Sequence, residues 1–427
     1  MNFSGLSTDQ APPISAPLRF FLTAPLFGIL AGILMLLSDT SSLMSRYSID
    51  SIVITHTITI GFFSFVMFGA LTQMLPVLAG AKIYKVKIIT QMAHILMSFG
   101  LIMMIIGLFE NSSLYLSISF ISLGMGFGIM IVFILLAISG IKNITATVRA
   151  MATSMFFAFA IVVMGLFLLY SYITDSHSEF HFIVANIHSV MAIFGFVGIL
   201  IIGVSFQVLP MFYVAPHFKN FCKHYVVHLI SFGLLLWLIL NLFAEQYALV
   251  GKFLVALFFL AFATTVWKKL NERKRPIVDV TIWYWRASSI FLALGTFLWI
   301  FDEFFKNGYI VMVAILIGGG FIFSILIGML YKIVPFLVWF HLNAKGYMSI
   351  PTITQMIDKR LAKLQFGFFI FALIGFIFSF YISYFFEISI VSFMISMILL
   401  EYNIFTPVLL YIKTLKTKPD FDMSAFQ

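Results

Sequence analysis

Charged residues are scarce in this chain. Only 10% of its 427 residues are Asp, Glu, Lys or Arg, against about 25% in a soluble domain. So few charges cannot keep a folded surface wetted, which excludes an ordinary soluble domain. Cysteine is scarcer still. A lone Cys222 excludes an internal disulfide and any metal cluster built on several thiolates. Also missing are the Walker phosphate loop, a dinucleotide glycine fingerprint after a strand, and the paired-histidine protease motif. The net charge of +9 is not a nucleic-acid footprint, because the basic residues sit in short loops between apolar runs. No nucleic-acid partner is expected.

What the chain has is apolar length. It is 62% hydrophobic, with 53 Phe and a mean hydropathy of +1.10. A membrane-spanning helix needs roughly 20 apolar residues. Runs of that kind lie at approximately 18–38, 52–78, 88–108, 114–140, 150–173, 182–213, 225–243, 248–267, 281–301, 309–340, 363–385 and 388–412. The fold class is therefore an all-α integral membrane protein of about 12 transmembrane helices, forming one transmembrane domain over 1–427, with the lipid bilayer as its main partner. Residues 1–17 are polar, carry three prolines and have no basic stretch, so no cleavable signal is expected there.

Loop charge sets the expected orientation. One set of loops holds Lys82, Lys85, Lys87, Lys142, Arg149, Lys219, Lys223, the run Lys268–Arg275, Lys345, Lys359, Arg360 and Lys363. The other set holds only Arg46, Lys252 and Lys306 as basic residues. By the positive-inside rule the first set and both termini are cytoplasmic, in a cell inner membrane. The opposite face carries Asp39, Asp50, Glu110, Asp175, Glu179, Glu245, Asp302, Glu303 and Glu387, a surface suited to a cationic redox partner.

The chain repeats itself. Counting back from proline, Gly61, Gly69, Gln73 and Pro76 match Gly195, Gly203, Gln207 and Pro210, and again Gly320, Gly328, Lys332 and Pro335. The marked helix is second in each group of four, giving pseudo-repeats at approximately 18–140, 150–267 and 281–412. Glycines let helices approach closely. The prolines free a carbonyl each, and Gln73 and Gln207 stand where they can satisfy such groups.

Candidate chemistry rests on few residues. His56 and His188 lie near the acidic-loop ends of the second and sixth spans, and a neutral imidazole there can ligate haem iron or copper. A weaker alternative is a cluster at the opposite ends: His94, His224 and His228. His224 and His228 share a helical face at a spacing that can hold a metal, but no suitably spaced carboxylate or cysteine supports them. Lys332 and Glu401 are ionisable residues inside spans, and an unpaired charge there is costly. They are expected to pair, as a structural lock or a proton-path element. The 23 methionines scatter around helix faces, as core packing requires.

Twelve helices in groups of four, with histidines on the second and sixth, resemble the haem-copper oxidase subunit I superfamily. That group includes the large subunit of bacterial nitric oxide reductases, and the chain also looks like the related NnrS-type haem membrane proteins. The motifs carrying the likeness are HTITIGFFSFVMFGALTQMLP, HSVMAIFGFVGILIIGVSFQVLP and GGGFIFSILIGMLYKIVP. The resemblance implies a haem cofactor with His56 and His188 as candidate axial ligands, and a role in electron transfer or nitric oxide handling. Gly318, Gly319 and Gly320 stand where the tenth helix of that superfamily carries haem ligands, so no complete oxygen-reducing centre and no complete copper site are expected. The alternative from a different class is a permease for a small solute or metal ion, without haem. Common permeases repeat in sixes, whereas this chain repeats in fours. A third reading is an accessory protein that uses the fold as a scaffold.

Overall fold

The computed structural model describes residues 12–275, 277, 279–305 and 308–421. The first part of the polar leader, up to Ala11, and Lys306 lie outside the described residues. Twelve helices are long and apolar enough to cross a membrane: α1 (Ser15–Leu37), α2 (Ile49–Val77), α3 (Val86–Phe109), α4 (Ser113–Ser139), α5 (Ala146–Ile173), α6 (Glu179–Tyr213), α7 (Asn220–Phe243), α8 (Glu245–Asn271), α9 (Val280–Phe305), α10 (Ile310–Asn343), α11 (Lys359–Phe378) and α12 (Tyr384–Thr414). No strand occurs among the described residues. The chain is an all-α, multi-pass membrane protein, as its hydropathy predicts. In hydrocarbon each backbone polar group must find its partner within the segment, which the helix alone achieves locally.

The sequence placed the eleventh helix at 363–385, but α11 stops at Phe378 and α12 begins at Tyr384. The intervening turn contains Phe380, Tyr381 and Ile382. Hydropathy runs straight through so apolar a turn, so the break leaves no trace in it. Elsewhere caps mark the starts. Ser48, Thr145 and Asp358 accept from the N–H groups of Ser51, Val148 and Arg360 respectively, the usual device for orphan first-turn donors.

The three repeat-bearing helices share a feature that no other described helix has. Each contains a π-helical stretch: Thr59–Ser64 in α2, Met191–Gly198 in α6 and Ile315–Phe323 in α10. The matched glycines Gly61, Gly195 and Gly320 all lie in these stretches. A Cβ at each would run into a phenylalanine ring of the preceding helix: Phe27 at 2.5 Å, Phe157 at 2.5 Å and Phe291 at 2.3 Å. The second glycine behaves alike. A Cβ would meet the Cβ of Phe20 at 3.1 Å from Gly69, that of Ala150 at 2.0 Å from Gly203, and that of Tyr284 at 2.9 Å from Gly328. Phe20 and Phe27, Ala150 and Phe157, and Tyr284 and Phe291 each stand seven residues apart. The repeat therefore extends to the first helix of each group.

The first two copies also end alike. Four residues after proline, Gly80 and Val214 both turn left-handed (φ 66° and 54°). The next N–H then returns to the carbonyl before proline: Ala81 to Leu75, and Ala215 to Leu209. In the third copy the helix continues to Asn343 instead.

The described residues form two compact units. One spans Leu71–Ile277 and Arg286–Ile322; the other spans Pro12–Ala70, Val278–Trp285 and Phe323–Gln427. The boundaries between the two units fall inside α2, α9 and α10. In the first unit α3 packs on α4, α4 on α5, α5 on α6 and α7 on α8. In the second, α12 packs on α1, α10 and α11. There the tail is pinned by Asp420, which accepts from the N–H groups of Met348 and Ser349 at 2.7 Å each. Those two bonds hold its carboxyl below the ordinary carboxylate range.

Candidate functional site

His56 stands one turn ahead of the π stretch of α2, half-buried. Its Nδ1 lies 2.7 Å from the carbonyl oxygen of Ile52. A carbonyl only accepts, so Nδ1 carries the proton and Nε2 is the nitrogen with the lone pair. That bond fixes the tautomer and the orientation of the ring.

His188 stands at the corresponding end of α6, three residues before its π stretch. Its ring rests against α5, where a Cβ on Gly165 would come within 3.1 Å of Cε1. The glycine notch therefore sets the ring's position. The two histidines belong to different compact units, His56 to the second and His188 to the first.

Lys332 finds its carboxylate elsewhere than expected. Its ammonium pairs with Asp279, just before α9, and Asp279 also accepts from the N–H and hydroxyl of Thr281. The expected Lys332–Glu401 pair is corrected accordingly. The reason is register. The antiparallel α9 and α10 meet at Tyr284 and Gly328, so the turn after Gly328 faces the turn before Tyr284, where Asp279 stands. Glu401 keeps a buried Oε2 with no hydrogen-bond partner among the described residues. Burial alone pushes the Asp279 carboxyl up, but the Lys332 ammonium and the Thr281 bonds outweigh it and hold it below its ordinary value.

A buried polar network lies in the same unit. The Gln365 side chain is fully buried on α11. Its Oε1 accepts from Tyr284 and from Tyr331 (3.2 Å), and its Nε2 donates to Ser396 Oγ at 2.8 Å. Asn403 donates to the Tyr331 hydroxyl at 3.0 Å. Four helices, α9 to α12, are thus tied through one amide. Gln365→Leu leaves two buried phenols without that acceptor, which costs about 2–4 kcal/mol. The expected result is a clear drop in the detergent melting midpoint; an unchanged midpoint means that the phenols find other acceptors.

Several sequence expectations meet different geometry. Gln73 satisfies no proline-freed carbonyl: its amide is buried, and both polar atoms lack hydrogen-bond partners among the described residues. His224 and His228 are exposed, His94 is half-buried, and His224 bonds its own helix at Asn220 O. Among the described residues no group of three or more His, Cys, Asp or Glu side chains is placed to hold a metal ion. The weaker cluster of His94, His224 and His228 therefore forms no such centre.

Two features escaped the sequence reading. Lys252, assigned to a loop, is buried in α8, 2.5 Å from Glu303 Oε1 and 4.7 Å from the Trp299 ring centre. His181 is buried against Ser171 Oγ at 2.6 Å, with the His177 ring 5.0 Å away. The HSEFH spacing of these two histidines was visible in the sequence, but nothing there told that the end of α5 folds against them.

No protein-family model matches this chain, and no curated protein matches it. The arrangement of its own residues is what bears on function.

Proposed function

We propose that this is an inner-membrane haem protein of the haem-copper oxidase and NnrS kind, serving electron transfer or nitric oxide handling without a complete oxygen-reducing centre. The observation that carries the reading is His56. Its Nδ1 proton goes to Ile52 O, which makes Nε2 the nitrogen that carries the lone pair, and it sits at the head of a π stretch that recurs in α6 and α10. That donor chemistry fits an iron ligand. His188, held in the Gly165 notch, is the candidate for a second ligand. The triglycine at Gly318 offers no side-chain donor, in keeping with a reduced set of metal ligands. Bound haem supplies one-electron chemistry. The chain's own part is to orient the imidazoles and, through its apolar helices, to keep water away. Loop charge supports cytoplasmic termini, with the acidic face open to a redox partner.

The test is the visible spectrum of protein purified after expression with ample haem. A Soret band is expected, lost in His56→Ala and in His188→Ala, and kept in His224→Ala. Folded, colourless wild-type protein overturns the reading.

A second reading, a permease without haem, draws on the charges within the bundle. Lys332 is buried and paired, and Glu401 holds a carboxylate oxygen in a buried position without a hydrogen-bond partner. Such residues mark substrate and proton paths in membrane proteins. Solute- or metal-dependent flux in proteoliposomes, abolished by Glu401→Gln, supports it; its absence across a panel of small solutes and divalent metals counts against it.

A further inference from the structure

A cavity of about 410 Å³ opens in the first unit, between the end of α2 and the end of α4. It is within the range of small-ligand sites, roughly 300–1,000 Å³. The turn at Gly80 and Ala81 forms one wall, and Ala137 and Gly140 form the other. Lys82, Lys142 and Asn143 supply its polar groups. Both lysines are exposed, and neither has a salt-bridge partner among the described residues.

The helix ends do not oppose an anion here as strongly as helix C-termini usually do. The carbonyls of Leu75 and Pro76 already accept from Ala81 and Gly80, and that of Ile138 accepts from Ile141. The polar side chains of the lining are thus two ammonium groups and an amide. Leu136 in its lining is exposed, and the adjoining stretches expose Tyr84, Ile88 and Ile144 together with Lys85 and Lys87. A phosphate group alone has no use for the exposed Leu136 in that lining, whereas a phosphate carrying acyl chains does.

We infer that this cavity binds the phosphate headgroup of an anionic phospholipid. Lys82 and Lys142 pair with the phosphodiester, Asn143 bonds the headgroup hydroxyls, and the acyl chains run down the Leu136 side of α4. Basic pockets at the ends of membrane helices recognise such lipids by the same chemistry. The inference does not depend on haem.

The test is native mass spectrometry of the full chain in detergent with added phosphatidylglycerol or phosphatidylcholine. Wild-type protein is expected to retain phosphatidylglycerol preferentially. Lys82→Gln and Lys142→Gln should each weaken retention about five-fold, the effect of one lysine near an anionic headgroup. Gly140→Phe is the complementary variant. Gly140 has ordinary helical backbone angles, and the nearest atom to an added Cβ is 3.7 Å away, so the ring enters the cavity while both lysines remain. It should abolish the preference. Lys268→Gln, on a different loop, should change nothing. Equal retention of the two lipids, or a preference that survives both the double lysine variant and Gly140→Phe, overturns the inference. Inorganic phosphate that protects the protein thermally without any lipid preference reassigns the cavity to a soluble anion and likewise overturns it.

Discussion

Lys332→Gln is expected to lower the unfolding free energy by about 3 kcal/mol, and Asp279→Thr added to it should restore most of that loss. Breaking a buried ion pair costs about 3–5 kcal/mol because one charge is left desolvated and alone. The low end applies, since the Asp279 side chain keeps 33% of its surface exposed against 10% for Lys332. The double variant recreates what the second group already has, Thr145 before its first helix and Gln207 at the matched position. A neutral pair at this place is therefore compatible with the packing. Equilibrium unfolding in mixed detergent reads the cycle. A double variant no more stable than Lys332→Gln shows that the loss is not the stranded carboxylate.

The same pair has an acid signature. The folded Asp279 carboxyl lies below its ordinary value of 3.8, so its contribution is complete above that value and fades as the pH falls through the lower folded value. Wild-type stability should therefore drop in that acid range, and the double variant should lack this component. An identical acid limb in both assigns the drop to other carboxylates.

Gly203→Ala is expected to be among the most damaging single-methyl additions in the protein, and Ala150→Gly should rescue it. The added Cβ would lie 2.0 Å from the Ala150 Cβ, with the Ala150 Cα at 3.4 Å. No rotamer relieves a Cβ–Cβ overlap, so α5 and α6 must move apart. Overpacking costs about 1–3 kcal/mol or more. Exchanging the two residues moves the methyl across the interface, and the remaining 3.4 Å contact is one that small shifts can absorb. Gly128→Ala is the control, because a Cβ there meets nothing within 4 Å. Thermal melting of the four proteins separates the cases. If Gly203→Ala behaves like Gly128→Ala, the α5–α6 contact is not as close as described.

The spacing of Gly61 and Gly69 from Pro76 was legible because it recurs twice more in the sequence. Its partners on the preceding helix were not: Phe20, Ala150 and Tyr284 share no residue type, and Phe27, Phe157 and Phe291 do but stand at unequal sequence distances from their glycines in a chain with 53 Phe. What they share is a place opposite a glycine, and that is a fact of packing. Lys332 shows the same limit. The cost of an intramembrane charge predicted a partner. It did not say which partner, since Asp279 lies outside the predicted spans and Glu401 lies within one. Choosing between them needs the antiparallel register of α9 and α10. His56 was singled out by its residue type and depth. The bond that settles its tautomer depends on a rotamer over its own helix, which sequence does not specify.

The sequence by itself determined that the chain is helical, how many times it spans the membrane and which helices repeat. Those follow from apolar run length and from the need to satisfy backbone hydrogen bonds in lipid. The tertiary structure alone decided which faces meet. In so uniformly apolar a chain, hydrophobicity does not fix helix rotation. The glycine notches do, by admitting Phe27, Phe157 and Phe291 at one place each, and with them the partners of His188 and Lys332.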